Sequence, residues 1–228
     1  MQNPISGKLY IVATPIGNLK DLSHRAVEVL GSVSRCLAED TRTTSVLLRA
    51  YGIRVPLVSF HEHNEEHRGE AVLRALEGGE TLALVTDAGT PLLSDPGYPL
   101  VRACRSKGIP IEVVPGPSAI TTALILSGFP PYPFTFTGFP PRKQGKRRTF
   151  WESMLSLPHS LVVFSTPHAI AVHLREIDEI APDRLLFLGR ELTKKFEEQM
   201  EGTASDLQTR LASRSRVRGE ITLVIGPA

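Results

Sequence analysis

Three segments place glycine, proline and small polar residues directly after apolar runs: Thr14-Pro-Ile-Gly-Asn-Leu19, Thr86-Asp-Ala-Gly-Thr-Pro-Leu-Leu-Ser-Asp-Pro-Gly97 and Pro115-Gly-Pro-Ser-Ala119. Open α/β sheets hold ligands outside the carboxyl ends of their strands, which is where loops of this kind fall. Gly89 lets the backbone approach a ligand closely, Pro91 stiffens its turn, and Ser118 offers amides at a helix start suited to a carboxylate or phosphate. Any one of the three is equally a tight turn. Their recurrence in one chain is what points to ligand binding.

A second set of residues is titratable. His61, His63 and Glu65 follow an apolar run, and three roles stay open for them: substrate binding or proton transfer, a solvated helix start, or, with His67, Glu62 and Glu66, a zinc site. Glu39, Asp40 and Arg42 offer acid–base groups or an ion-pair network with a helix cap. Arg142, Lys143, Lys146, Arg147 and Arg148 form a basic cluster without an acid, and Arg214, Arg216 and Arg218 form another. Each is either a solvated face or an anion-binding patch. Pro140-Pro141 and Gly145 make the first cluster read as a mobile arm.

Some chemistries are excluded. No G-x-G-x-x-G follows the first apolar run, and six residues rather than the four of a phosphate loop separate Gly138 from Gly145-Lys146. Neither a dinucleotide fold of the usual kind nor an NTPase is expected. Cys36 and Cys104 fit no metal spacing and read as buried thiols. The start, Met1 to Lys8, lacks a leader pattern, and no apolar window approaches the roughly 18 residues of a membrane span, so a cytoplasmic protein is expected.

The elements that must position these residues belong to an α/β protein. The chain has 228 residues, 41% of them hydrophobic and 22% charged, with a net charge of only +2, enough for two globular lobes. Strands are expected at Leu9–Ala13, Arg35–Ala38, Pro56–Phe60, Thr81–Val85 and Ile109–Val114. Helices are expected around Ala26 to Leu30, at Ser45–Tyr51, at Glu70–Glu77 and at Tyr98–Ser106. Strands this apolar, separated by helices, indicate a mixed or parallel sheet covered on both faces. Val114-Pro-Gly-Pro-Ser118 breaks the chain into lobes of residues 1–115 and 116–228. The second lobe reads as helix Ala119–Ser127, strand Phe134–Thr137, helix Arg148–Leu155, strand Leu161–Ser165, a helix opened by Thr166-Pro167, strand Leu185–Gly189, helix Ala204–Ala212 and strand Ile221–Ile225.

Longer runs carry a resemblance. Thr14 to Leu22, Ala38-Glu-Asp-Thr-Arg42, Ser59-Phe-His-Glu-His-Asn-Glu65, Thr86 to Gly97, Val114-Pro-Gly-Pro-Ser-Ala119 and Arg190-Glu-Leu-Thr-Lys194 together span nearly the whole chain in order. The sequence resembles the tetrapyrrole (corrin/porphyrin) methylase superfamily, the class III methyltransferases, and within it the branch that acts on small-subunit ribosomal RNA. The resemblance implies a two-lobed enzyme, usually a homodimer, with S-adenosylmethionine in a cleft between the lobes, S-adenosylhomocysteine as product, and no metal. The expected reaction is 2'-O-methylation of a cytidine in 16S rRNA. A tetrapyrrole methyltransferase and a non-catalytic RNA-binding assembly factor are the alternatives.

Carried onto this sequence, the resemblance makes Asp87, Gly89, Thr90, Ser118 and Ala119 cofactor contacts, with Pro15 beside them. Ser165, Leu192 and Ile221 are added from their places at strand ends. His61, Glu65 and Lys194 become the catalytic candidates, and Arg142, Lys143, Lys146, Arg147 and Arg148 the RNA contacts. Methyl transfer from a sulfonium to an alcohol is an in-line displacement, so positioning contributes roughly 7–11 kcal/mol, and a base or alkoxide-stabilising donor about 10²–10⁴-fold. Where the family commonly has Tyr-Glu-Ser-Pro-His-Arg, this chain has Phe164-Ser-Thr-Pro-His-Ala169, so no role of that acid or arginine carries over. Some relatives continue beyond the final strand, and RNA contacts assigned to that extension are not carried over either.

Overall fold

A computed structural model describes residues 7–214 and 216–228. The chain divides into two compact units, Met1–Ser118 and Ala119–Ala228. The division lies three residues after the one read from the prolines, because Gly116 to Ser118 belong with the first unit.

In the first unit, strands β1 (Leu9–Val12), β2 (Arg35–Ala38), β3 (Leu57–Ser59), β4 (Leu82–Val85) and β5 (Ile111–Val114) alternate with helices α1 (His24–Ser32), α2 (Thr41–Ala50), α3 (Glu65–Glu77) and α4 (Tyr98–Ser106). The sheet order is β3-β2-β4-β1-β5, with all pairings parallel. Successive strand side chains face opposite ways. Leu9, Ile11, Leu82 and Leu84 therefore join Val72, Leu76, Leu100 and Cys104 on one side, while Val12, Ala83 and Val85 join Ala26, Leu30, Cys36 and Leu48 on the other. Two apolar faces explain why these strands read as unbroken apolar runs. The two cysteines are free, buried and on opposite faces, and burial pushes the Cys36 thiol up to about 12. Ser23 caps α1 and Asp40 caps α2 through side-chain bonds to Ala26 N and Arg42 N, so both helices start well before the apolar periodicity does.

The second unit contains α5 (Ala119–Leu126), β6 (Phe134–Phe136), α6 (Gln144–Met154), β7 (Ser160–Ser165), α7 (Ile170–Ile180), β8 (Leu186–Arg190), β9 (Glu198–Gly202), α8 (Ala204–Ala212) and β10 (Ile221–Ile225). Its sheet, β6-β7-β10-β8-β9, is mixed: β6 and β7 are parallel and the other pairs antiparallel. One face packs on α6, α7 and α8 through Trp151, Leu174, Ile177, Leu207 and Leu211. The helix expected to open at Thr166-Pro167 instead begins at Ile170. Thr166 to Ala169 form a turn closed by the Ala169 amide donating to Thr166 Oγ1 at 3.3 Å. Among the described residues no helix is long and apolar enough to cross a membrane.

Candidate cofactor and substrate site

Because every strand of the first sheet runs the same way, all five post-strand segments leave from one edge. Short contacts tie them together. Thr14 and Gly89 form a two-bond bridge, Thr14 N donating to Gly89 O at 2.9 Å and Gly89 N to Thr14 O at 3.1 Å. Thr14 Oγ1 also donates to Thr86 O at 3.1 Å. Pro15 and the Asp87–Thr90 turn are thereby neighbours. Gly89 has φ +84°, and a Cβ there would stand 3.4 Å from Ile16 Cγ2. A Cβ on Gly116 would stand 3.1 Å from Ala13 Cβ, so the loop before Ser118 lies close against the first loop. Asp40 N donates to Asp87 Oδ1 at 3.1 Å, and Asp87 N reaches Glu39 Oε2 at 3.4 Å. Thr86 Oγ1 is buried with no partner among the described residues, a polar atom that a ligand can satisfy.

The loop after β4 is strained as well as tied. Leu92 and Ser94 hold φ +74° and +73°, a region that costs a residue with a Cβ about 1–2 kcal/mol. Strain of this kind persists where the surroundings fix it, commonly at ligand sites. Glu65 supplies part of the fixing, since its Oε2 accepts from Gly97 N at 2.8 Å. Its carboxylate is thus an anchor for the loop after β4 rather than a free base.

The other acid–base candidates sort by environment. Burial, opposed by the Asp87 amide and aided by the Asp87 charge, raises the Glu39 carboxyl above its usual range. Hydrogen bonds from Arg42 hold Asp40 down at about 2. His61 Nε2 lies 3.0 Å from Asn64 Nδ2, and its Nδ1 is buried without a partner among the described residues. Also among the described residues, no three His, Cys, Asp or Glu side chains are grouped to hold a metal, so His61, His63 and His67 do not converge.

In the second unit Ala119 opens α5. Ser165 and Arg190, the last residues of β7 and β8, both pair with Ile221, the first of β10, so they stand in one row. Leu192 follows and packs on Gly189, where a Cβ would meet its Cδ2 at 2.9 Å. Ser165, Leu192 and Ile221 are all buried, and the Ser165 hydroxyl is engaged with His173 Nδ1 at 3.0 Å. Burial, then the Arg147 charge, press His173 down to about 4, so it is neutral.

Lys194 sits in a turn where Glu191 and Thr193 have φ +51° and +65°. Its ammonium donates to Glu191 Oε1 at 2.8 Å and Glu220 Oε2 at 3.0 Å. Burial works against the charge, but these two carboxylates outweigh it and its pKa is raised. Lys194 is a fixed cation and no base.

The basic cluster is divided rather than free. α6 starts at Gln144, so Lys146, Arg147 and Arg148 are helical and not part of a mobile arm. Arg147 donates to both oxygens of Glu176 at 2.7 and 2.8 Å, its side chain 11% exposed and that of Glu176 7%. Trp151 Nε1 donates to the same carboxylate at 3.1 Å. Arg147 is thereby a buried structural cation and is removed from the RNA contacts. Arg148 pairs with Glu152 and Glu179, and Arg214 with Glu198. Arg142, Lys143 and Lys146 are exposed and make no ion pair among the described residues.

A family model described as Tetrapyrrole (Corrin/Porphyrin) Methylases matches residues 8–208. The chain belongs to this methylase family. It is 44% identical to a Ribosomal RNA small subunit methyltransferase I of Mesorhizobium japonicum, over 99% of this chain and 77% of that protein. It is 45% identical to the protein of the same name from Thermotoga maritima, over 96% of this chain and 98% of that one. Among solved structures it is similar to a uroporphyrin-III C-methyltransferase from Thermus thermophilus complexed with S-adenosylhomocysteine, with TM-score 0.67 and 19% identity over 96% of this chain and 97% of that one. The two-sheet α/β fold of this methylase is thus the class III methyltransferase fold.

Sequence reasoning missed three features of the two units. The Thr14–Gly89 bridge joins segments 75 residues apart without a local mark. Positive φ at Leu92 and Glu191 has no compositional signal. The engagement of Ser165 by His173 has one, the eight-residue spacing across a strand end and a helix turn, but only in hindsight of α7.

Proposed function

We propose that this chain transfers a methyl group from S-adenosylmethionine to the ribose 2'-hydroxyl of a cytidine in small-subunit ribosomal RNA. The observation that carries the reading is near full-length similarity, at 44% and 45% identity, to proteins named for small-subunit ribosomal RNA methylation. The geometry supports the cofactor. Gly89 gives close backbone access, Thr86 Oγ1 is an unpaired buried polar atom, and Asp87 places a carboxylate acceptor beside them. When bound, the cofactor supplies a methyl already activated on a sulfonium.

In the first unit, Pro15, Asp87, Gly89, Thr90 and Ser118 are proposed to hold it. Ala119, Ser165, Leu192 and Ile221 of the second contribute contacts. Glu39, whose carboxyl burial raises above its usual range, would take the ribose 2'-hydroxyl proton, with the oxygen bonding to the methyl carbon and S-adenosylhomocysteine leaving as the neutral thioether, and Glu65 holds the loop through Gly97. The Lys194 cation acts on negative charge, and Arg142, Lys143 and Lys146 contact RNA phosphates. The family resemblance supports a cytoplasmic homodimer.

The test is methyl transfer to small subunits from cells lacking the protein, with the modified nucleotide mapped by mass spectrometry and uroporphyrinogen as the competing substrate. Ribose methylation of one cytidine is expected. Methylation of the tetrapyrrole with none of the RNA refutes the reading, and binding of subunits without transfer would make the chain an assembly factor.

A further inference from the structure

His61 lies just beyond β3, and Asn64 folds back on it. The orientation of the Asn64 amide follows from its partners. Its Oδ1 accepts from the His61 backbone N–H at 2.9 Å, and a backbone N–H can only donate. The amino end is then the one that faces His61 Nε2, at 3.0 Å, with Ser59 O and Oγ each 3.4 Å away. An amino group has no lone pair to offer, so Nε2 must be the bare nitrogen of the ring. In the neutral imidazole the proton sits on Nδ1, the atom that is buried without a partner among the described residues.

We infer that Asn64 is a positioning residue that holds His61 as its Nδ1–H tautomer, so that the ring meets the RNA as a hydrogen-bond donor and takes no proton from it. The acceptor rests on the RNA reading given above; the tautomer does not. A buried donor left unpaired is costly, and ribose and phosphate oxygens are acceptors of the kind it lacks. His63, packed edge-on against the His61 ring at 5.9 Å with a side chain 83% exposed, is the solvent-facing part of its surroundings. A base role for Nε2 would require Asn64 to leave it.

Two measurements test this. In protein labelled with ¹⁵N-histidine, the two-bond ¹H–¹⁵N correlations of His61 report which ring nitrogen carries hydrogen. The wild type should show a protonated Nδ1. Asn64→Asp, whose carboxylate accepts from both the His61 amide and Nε2, should move the proton to Nε2 and lower turnover about tenfold or more with cofactor affinity unchanged.

The second measurement is replacement of the ring. An asparagine amide puts an N–H near the Nδ1 position and a glutamine amide puts one near Nε2. His61→Asn should keep turnover within about fivefold of the wild type, while His61→Gln and His61→Ala fall by about 30-fold or more. A wild-type ring protonated on Nε2 overturns the inference even if no variant folds, and so does a glutamine variant as active as the asparagine one. A wild type with the Nδ1–H signature that methylates uroporphyrinogen and not subunits sinks the RNA reading and leaves the tautomer standing.

Discussion

Replacing Glu176 by alanine tests whether the centre of the basic cluster is part of the fold or part of the RNA interface. The carboxylate takes two hydrogen bonds from Arg147 and one from Trp151, all between largely buried groups. Removing it strands a guanidinium whose remaining partners are the carbonyls of Arg142 and, at 3.5 Å, Pro141. Breaking a buried pair from one side costs about 3–5 kcal/mol, and the orphaned indole N–H adds to this without being fully additive. For a unit of about 110 residues, a loss of about 4 kcal/mol lowers Tm by on the order of 15 °C.

The pH dependence has a definite sign. Hydrogen bonds from Arg147, opposed by burial, depress the Glu176 carboxyl below its ordinary 4.5, so its contribution is complete above that value and is lost as pH falls through the folded-state pKa. The Tm gap between wild type and Glu176→Ala, followed by circular dichroism, should stay constant from pH 7 to about pH 5 and narrow below about 4.5. Arg147→Met should lose comparable stability and, assayed cold while folded, bind subunits as the wild type does. A drop under about 3 °C, or a specific loss of RNA affinity in Arg147→Met, would refute the structural assignment.

Converting Arg142, Lys143 and Lys146 to alanine should leave Tm unchanged and reduce the log–log salt slope of subunit binding by about 2–3, at about 0.7–0.9 per phosphate contact; an unchanged slope removes these cations from the interface. Gly89→Val should weaken S-adenosylmethionine binding at least about tenfold in a folded protein, measured by isothermal titration, because valine strongly disfavours the positive φ that the Thr14 bridge requires. Glu65→Ala should raise the KM for cofactor about fivefold or more and speed hydrogen exchange of Gly97, and unaltered exchange would mean that the loop is held by something else. Chelation should leave cofactor affinity intact, and its loss would revive a histidine metal site.

The first sheet was legible because β1 and β4 are apolar on both faces and end at Gly/Pro-rich loops, a pattern that follows from burial between two helical layers. β9 was not, since Glu198-Gln-Met-Glu-Gly202 is an edge strand with one fully buried residue, Met200. Helix starts were placed late wherever the first turn is polar. Glu65 to Gly69 in α3 carry no apolar periodicity, yet Glu65 is the residue that reaches Gly97. The tight loop after β4 could be read from its glycines. The fate of the charges could not, because Arg147 and Glu176 are 29 residues apart and only the packing of α6 on α7 joins them. A run of basic residues fixes charge, and tertiary structure decides which of them remain available.

The order of strands in the first sheet also bears on how the chain is made. β1 leaves the ribosome before the other strands of its sheet, but it is flanked by β4 and β5, with Leu9 paired to both Leu82 and Ile111. The earliest strand must therefore wait for more than a hundred residues of synthesis before its second edge is covered. Parallel pairings across such separations close slowly, and an apolar strand left open meanwhile is a surface for mispairing. The second unit relies on nearer partners, with β8 and β9 antiparallel neighbours in sequence. Nascent chains stalled before Ile111 are expected to be the species that chaperones hold, and those stalled after Ser118 the first in which the Thr14–Gly89 bridge can persist.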